Sequence, residues 1–432
     1  MSLIINREEE QLILKIMEEE IVPAEGCTEP IAIAYAAAKA VSYLGKRPEE
    51  LIINVSGNIL KNAKSVVVPN SDGKVGIEVA GAMGALFGDP QADLMVISKI
   101  TSDDMSVVNH FLEEHRAKVK LADNNMTLYI NIEAIAQKEC VSVEIKHTHT
   151  NITKVIKNGE VIIDQPCNDN DFNSSLIDRS ILSIEKIYHL AKNIEIEKIE
   201  KIFEKVFTYN SRIASEGLAS KYGVNIGAAI QKNIDKGLYG DDQRNRSASF
   251  TAAGSDARMG GSAMPVMTTS GSGNQGMTAS LPIIKYCIDQ DIEKEEMYRA
   301  LFMSHLSTVH VKTNVGRLSA YCGAMTASAA VSGTLVFLEG GTVENVKNAI
   351  TNTLGNVSGV ICDGAKASCA TKIASGIYSA FDGAMLAQMG SVLQAEDGII
   401  GDCVEDTIKN VGTLAKEGMK STDKTILNIM SN

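Results

Sequence analysis

Three cysteines in the second half of the chain have surroundings suited to metal chemistry. Cys322 lies in SAYCGAMTASAAVSGT, and Cys362 and Cys369 lie in SGVICDGAKASCATKIASG, so the intervals are 40 and 7 residues. Small neighbours allow backbone amides to approach sulfur closely, as iron–sulfur clusters require. Three thiolates would leave one iron open as a Lewis acid. Without a tight Cys-x-x-Cys pair, buried cysteines that merely pack between helices are the alternative.

A fourth cysteine, Cys27 in EGCTEP, directly precedes a helix that is predicted to open at Pro30. The positive end of a helix dipole lowers the pKa of a thiol, although Glu25 and Glu29 oppose that shift here. We therefore predict thiolate character for Cys27, with a purely structural role as the alternative. The remaining cysteines are predicted to be packing or surface residues: Cys140, Cys167, Cys287 and Cys403.

The segment TTSGSGNQGMTASLP (268–282) is a candidate anion site. Its hydroxyls and backbone amides precede a helix predicted to begin near Asn274 or Gly276, which suits an amino-acid carboxylate. The nearby run AAGSDARMGG offers Arg258 to the same group. A flexible serine-rich loop is the alternative, since the glycine spacing matches no phosphate-binding pattern. The candidate substrate contacts in this loop are Ser270, Ser272, Gly273 and Asn274.

Two histidines and a lysine complete the candidate site residues. His147 and His149 in EIKHTHTNIT are two residues apart at a predicted strand end, so both would point to one face and could bind substrate or metal. A solvent-facing polar strand end is the alternative. Lys312 and Asn314, just ahead of Cys322, are weaker candidates for substrate contact.

The elements that must position these residues change in character along the chain. The first part predicts helices at 7–21, 30–44 and 76–88, with short β-like runs at 51–55 and 65–69. A strand at 94–100, a helix and three further strands with an Asn158-Gly159 hairpin turn follow. The rest predicts helices almost throughout, at 176–192, 196–208, 211–236, 242–256, 276–289, 293–311, 318–338, 343–354, 366–394 and 403–417.

This pattern predicts an α+β fold, with a predominantly α-helical catalytic domain of Gly/Ala/Ser-rich helices and a smaller α+β subdomain. The expected division is an N-terminal mixed segment at 1–91 that carries Cys27, the α+β subdomain at 92–165, and the helical catalytic domain at 166–432. The polar stretch DQPCNDNDFNSS (164–175) has turn composition and is the predicted linker.

The composition excludes several classes of protein. A chain of 432 residues that is 44% hydrophobic can bury a large core, and its net charge of -12 argues against a nucleic-acid partner. No secretion signal is predicted, because the start MSLIINREEEQ has no basic segment followed by an apolar run. No membrane span is predicted, because the sequence has no uninterrupted apolar run of about 18 residues. Eight cysteines are too sparse for a disulfide scaffold, and we expect a cytoplasmic protein with reduced thiols.

The motif EGCTEP, the SGSGNQG run and the spacing of Cys322, Cys362 and Cys369 together resemble the L-cysteine desulfidase family. That family is related to the α-chain of iron–sulfur L-serine dehydratases, and the resemblance runs over nearly the whole chain. It implies that the three cysteines bind a [4Fe-4S] cluster with one iron free of protein ligands, and that Cys27 is the catalytic thiol. The 270–274 run is similar to the substrate loop of the dehydratases without being identical.

The implied reaction converts L-cysteine and water to sulfide, ammonia and pyruvate, with Cys27 either as the base or as the donor of a proton to the departing sulfur. An L-serine dehydratase that uses the same cluster is the first alternative. A non-catalytic iron–sulfur redox sensor with a small-molecule binding subdomain is the second. A PLP lyase is disfavoured because no PLP-binding motif is recognisable. The expected partner is a small amino acid, and a homodimer is one assembly that the sequence allows.

Overall fold

A six-stranded mixed sheet forms the first half of the protein, for which the computed structural model describes residues 5–169, 173 and 176–431. The strand order is β3-β2-β4-β5-β6-β7, where only β2 and β3 run parallel. Burial alternates along the central strands, so one face is covered. The strands are β2 (Glu50–Val55), β3 (Ala117–Leu121), β4 (Tyr129–Ala136), β5 (Glu139–Lys146), β6 (Ile152–Lys157) and β7 (Glu160–Asp164).

Helices cover the buried face of this sheet. An Ala-rich helix packs against β4 and β5, and it ends at Gly45, whose φ of 76° gives the left-handed conformation that favours glycine. A second helix crosses the first so closely that a Cβ on Gly84 would lie 2.1 Å from the Ala34 carbonyl oxygen. The helices of the first part of the chain are α1 (Arg7–Glu20), α2 (Thr28–Leu44), α3 (Gly57–Ala63), α4 (Ile77–Phe87) and α5 (Ser102–Glu113). Of these, α1 packs into the core of the helical bundle and not against the sheet.

The second half is a helical bundle arranged around α12 (Gly323–Leu338), a helix of small residues that is buried almost all round. It contacts α10, α11, α13 and α14, the last of which also packs against α9. The other helices are α6 (Ile184–Asn193), α7 (Glu200–Ala219), α8 (Ile226–Asp235), α9 (Gln243–Met259), α10 (Gly273–Asp289), α11 (Lys294–Val315), α13 (Val343–Val357), α14 (Cys369–Gln388), α15 (Val404–Thr413) and α16 (Lys420–Ser431).

A two-stranded antiparallel pair connects the two halves. Strand β1 (Pro23–Glu25) pairs with β8 (Pro265–Met267), and the Thr268 amide donates a hydrogen bond to the Val22 carbonyl oxygen at 2.8 Å. This pair ties the segment before Cys27 to the segment before Ser270, although they are more than 200 residues apart. It therefore brings two of the predicted site segments together.

The α+β fold class is confirmed, with 57% of the residues in helices. Two predicted strands are wrong. The 65–69 run makes only an isolated bridge between Val67 and Val75, and the 94–100 run forms a 3₁₀ turn (Asp93–Met95) and further turns. Leu94 and Ile97 are nevertheless buried, so their apolar spacing reflects packing of a turn and not a strand.

The strand β2 comes from the predicted segment 1–91 but lies between β3 and β4, which belong to 92–165. These two segments thus share one sheet and one hydrophobic core. The predicted linker at 164–175 lies partly outside the described residues, and the division into three domains stays a prediction. Within the described part of the chain, no helix has the length and apolar character needed to cross a membrane.

Candidate active site

Cys322 and Cys362 are 40 residues apart in sequence and adjacent in the structure. The Cys322 amide donates to the Val360 carbonyl oxygen at 3.1 Å, and the Cys362 amide donates to the Ala320 carbonyl oxygen at 2.6 Å. Helices α12 and α13 lie between these two segments in sequence and pack side by side, so the chain returns at Cys362 to the place that it left at Cys322. Cys369 then opens α14, with its sulfur 3.5 Å from the Lys366 amide nitrogen.

These three cysteines and Cys27 line one cavity, which we call the thiol cavity. Four helices begin at its wall: α2 after Cys27, α10 after Ser272, α12 after Cys322 and α14 at Cys369. Helix N-termini carry partial positive charge and unpaired amides, which stabilise thiolates and other anions. The cavity is therefore built to hold negative charge.

Two buried cations add to the positive charge of these helix N-termini. Arg258 and Lys312 line the cavity with 2% and 5% of their surfaces exposed. Among the described residues, neither has an acidic side chain within ion-pair distance, whereas Arg317 pairs with Glu20 at 2.9 Å. Burial lowers the pKa of Lys312 to about 8, although nearby Cys362 and Cys322 oppose the shift. Unpaired buried cations are costly unless an anion joins them, so this cavity is suited to an anionic occupant.

Cys27 is held as a hydrogen-bond donor. Its sulfur lies 3.0 Å from Oε2 of Glu29, which also accepts from the Thr28 hydroxyl at 3.2 Å. Burial and the negative charge of Glu29 raise the pKa of Cys27 well above its usual value, and Arg258 offsets them only in part. The thiolate character predicted from the helix N-terminus is therefore wrong, because burial and this carboxylate outweigh the dipole.

Glu29 is itself buried and has partners on both oxygens. Its Oε1 accepts from Nδ2 of Asn62 at 3.0 Å, and Nε2 of His149 lies 3.9 Å away, within ion-pair range but too far for a direct hydrogen bond. Burial opposes ionisation of Glu29, but His149 and the Cys27 thiol favour the carboxylate and lower its pKa to about 2. Glu29 is thus an ionised acceptor for the Cys27 proton.

The glycine–serine loop contributes to the same cavity. Gly271, Ser272 and Asn274 line it, and the Ser272 hydroxyl caps α10 by accepting from the Gln275 amide. Gly273 lies against Arg258, since a Cβ there would be 2.4 Å from Nε. Ser270 is buried with a positive φ of 49° and does not line the cavity. The helix begins at Gly273, close to the predicted start.

The two histidines do not share a face. His149 lies beside Glu29 and lines a second cavity, which shares Gly271 and Arg317 with the thiol cavity. His147 has a positive φ of 65°, lines a different cavity and groups with Cys167 and Asp169. The left-handed residue at the strand end rotates the chain, so the alternation of a strand no longer applies there.

Comparison with known sequences identifies the family of this chain. A sequence model described as the serine dehydratase alpha chain matches residues 93–428. The chain belongs to the serine dehydratase α-chain family. It is also 59% identical to a UPF0597 protein of Fusobacterium nucleatum over 97% of this chain and 98% of that protein. UPF0597 proteins of Desulfitobacterium hafniense and Lachnoclostridium phytofermentans are 44% and 43% identical over 98% and 97% of this chain, and over 97% and 99% of their own lengths.

The serine dehydratase α-chain family is associated with iron–sulfur binding, and the thiol cavity fits such a group. Cys322, Cys362 and Cys369 present three thiols among small residues, and the Lys366 amide nitrogen lies 3.5 Å from the Cys369 sulfur. Burial and neighbouring thiols raise the pKa of Cys322 to about 12 and also raise that of Cys369. A bound metal displaces such protons, so assembly of a cluster here would release them.

Several residues in or beside the thiol cavity were not predicted from the sequence. Gln275 is buried in the cavity wall, and Glu29 was considered only as a charge that opposes the helix dipole. The buried Lys61 donates to the Cys362 carbonyl oxygen at 3.1 Å and to Asp423 at 2.6 Å. Gln275 could have been predicted as a site residue, because it immediately follows the SGSGN run. No local sequence pattern indicates a role for Lys61 or Asp423.

The remaining cysteines lie away from the thiol cavity. Cys140 is in β5, Cys287 is buried in α10, and Cys403 is exposed at the start of α15, 3.1 Å from Asp406. These three occupy packing or surface positions as predicted. Cys167 instead groups with His147 and Asp169, a neighbourhood that its sequence context did not indicate.

Proposed function

We propose that the protein catalyses an iron–sulfur-dependent β-elimination on a small L-amino acid, converting L-cysteine and water to sulfide, ammonia and pyruvate. The observation that carries this proposal is the thiol cavity, which three cysteines suited to a cluster line together with a fourth, Cys27, held by Glu29. Membership in the serine dehydratase α-chain family supports lyase chemistry. The free state of all eight cysteines supports a reducing compartment, the cytoplasm.

Each proposed role follows from an atom that lines or borders the cavity. When held by Cys322, Cys362 and Cys369, a [4Fe-4S] cluster would supply one iron without a protein ligand as a Lewis acid. Cys27 carries a proton directed at Glu29, which supports a role as proton donor to the departing sulfur. Lys312 and the loop residues Ser272 and Asn274 are proposed to hold the substrate.

The cluster is tested by the colour and iron content of anaerobically purified protein. We expect a brown protein with about four irons per chain, because three thiolates suit a four-iron cluster. Replacement of Cys322, Cys362 or Cys369 by Ala should remove most of the iron, whereas Cys403→Ala, the exposed control, should not. Air should bleach the protein and abolish activity. A colourless, iron-free protein with full lyase activity would contradict the proposal.

The substrate is tested by product stoichiometry. L-cysteine should give pyruvate and sulfide in equal amounts without added PLP, and L-serine should react more slowly. The description of the matching family model favours one alternative, dehydration of L-serine by the same residues. A large preference for L-serine in kcat/KM would decide for that alternative.

A further inference from the structure

Gln275 and Arg258, in the wall of the thiol cavity, each have buried polar atoms without a hydrogen-bond partner. Gln275 is 1% exposed, and neither its amide oxygen nor its amide nitrogen has a hydrogen-bond partner among the described residues. Arg258 is 2% exposed, and its Nε is likewise unpaired. An unsatisfied buried polar group destabilises a protein, so such groups at a cavity are typical of ligand contacts.

A glycine lies in close contact with each of these two side chains. A Cβ at Gly273 would lie 2.4 Å from Nε of Arg258, and a Cβ at Gly323 would lie 2.3 Å from Oε1 of Gln275. Only a residue without a side chain permits this approach at either position. Arg258 is in the last turn of α9 and Gln275 in the first turn of α10, so each is anchored on a helix.

Arg258 and Gln275 enter the cavity wall from different helices and approach different segments of the chain. Arg258 lines the cavity together with Cys27 and Cys369, and it lies against Gly273. Gln275 instead approaches Gly323, the residue after Cys322. A ligand in contact with both side chains therefore lies among the proposed cluster ligands and the proposed catalytic thiol.

We propose that Arg258 and Gln275 recognise the two ends common to all free α-amino acids: Arg258 binds the α-carboxylate, and Gln275 binds the α-ammonium through Oε1. A guanidinium matches a carboxylate with two parallel hydrogen bonds, and an amide oxygen is the acceptor that an ammonium group needs. The inference rests on the proposed function, and it assigns specificity for the α-amino acid core to residues that bear no thiol.

The test uses unreactive ligands and the cluster-loaded full chain. Dissociation constants are measured by ligand-observed NMR under anaerobic conditions for L-alanine, L-alaninamide, which lacks the carboxylate, and L-lactate, which lacks the ammonium. The wild-type protein should prefer L-alanine to both analogues. Arg258→Gln should reduce the preference over L-alaninamide by about 10-fold or more, the effect of losing a hydrogen bond to a charged group, and leave the preference over L-lactate intact.

Gln275→Met, which nearly preserves volume, should do the reverse and reduce only the preference over L-lactate. Arg246→Gln on the same helix, where Arg246 forms ion pairs with Asp241 and Asp289 outside the cavity, is the matched control and should change neither ratio. If Arg258→Gln does not fold, Arg258→Lys should show a partial loss of the first preference. Unchanged ratios in both variants, or no binding of L-alanine to the wild type, would overturn the inference. Preferences of the expected kind without turnover of cysteine or serine would uphold it and defeat the proposed function.

Discussion

At the scale of single residues, the position of Cys27 determines what its removal should do. The thiol donates to Glu29 and lines the same cavity as the proposed ligands. The segments 320–322 and 360–362, here called the ligand segments, are joined to one another by backbone hydrogen bonds in which Cys27 takes no part. Retention of the cluster and catalysis should therefore respond differently to a change at this residue.

Cys27→Ser should keep the iron content and visible absorption close to wild type while lowering kcat by about 100-fold or more, the loss typical of an acid–base group. Iron assay and steady-state kinetics measure the two effects, with Cys287→Ser in the packed core of α10 as the control. Loss of iron from Cys27→Ser would instead make Cys27 a fourth ligand.

Glu25, the other acid of EGCTEP, should affect stability and not chemistry. It is 1% exposed, and burial raises its pKa to about 7 despite a hydrogen bond from Asn70. In the folded state Glu25 keeps its proton at pH values where an exposed glutamate would lose it. The free energy of unfolding should therefore fall as the pH rises from about 4.5 to 7.

Glu25→Gln removes this penalty, so its melting temperature should exceed that of the wild type at pH 8 and approach it at pH 5. At pH 8 the free energy of unfolding of Glu25→Gln should exceed that of the wild type by on the order of 3 kcal/mol. Calorimetric scans at both pH values measure it. An equal effect of the substitution at both values would contradict the buried, protonated state of Glu25.

At the scale of elements, α3 and α16 hold the ligand segments from outside. Lys61 in α3 donates to the Cys362 carbonyl oxygen, and its partner Asp423 in α16 accepts from the Ala320 amide at 3.0 Å. Lys61, which is buried, and Asp423, which is partly buried, therefore clamp both segments, one before Cys322 and one at Cys362. Removal of one partner from a fully buried pair costs about 3–5 kcal/mol, and the cost should be smaller here because water reaches the Asp423 carboxylate.

Lys61→Met should lower the melting temperature and speed the loss of iron to a chelator, although Lys61 does not line the thiol cavity. Adding Asp423→Asn to that variant should recover part of both effects, because the unpaired carboxylate is gone. Lys64→Met, at an exposed residue at the end of the same helix, is the control. An iron-release rate in Lys61→Met equal to that of the control would show that the clamp does not act on the ligand segments.

At the scale of the whole molecule, the sequence predicted what depends on local periodicity and motif. The α+β class and the start of α10 are close to the structure, because amphipathic spacing and capping residues are local signals. The Asn158-Gly159 turn likewise has the two positive φ values of a tight hairpin. The helix expected at 211–236 is in fact the end of α7 and all of α8, separated by Gly223 and Asn225, which have positive φ.

What could not be predicted depends on contacts between distant parts of the chain. The burial of Cys27 against Glu29, the pairing of β1 with β8 and the clamp of Lys61 on Asp423 join residues through tertiary packing. Local sequence carries no signal for such contacts, and burial reversed the expected pKa of the thiol. The predicted grouping of the Ser270–Asn274 run with the cysteines depended on family resemblance and not on spacing.

The clamp has a consequence for the order in which the protein matures on the ribosome. Cys27 emerges early, but Cys362 follows more than 300 residues later, and the carboxylate that pairs with Lys61 and accepts from the Ala320 amide belongs to Asp423. Until Asp423 has left the ribosome, Lys61 has no counter-charge and the ligand segments lack their outer support. Synthesis from the N-terminus therefore completes the support of the proposed ligand segments only after residue 423 has been translated, and we expect iron to bind stably only after that point.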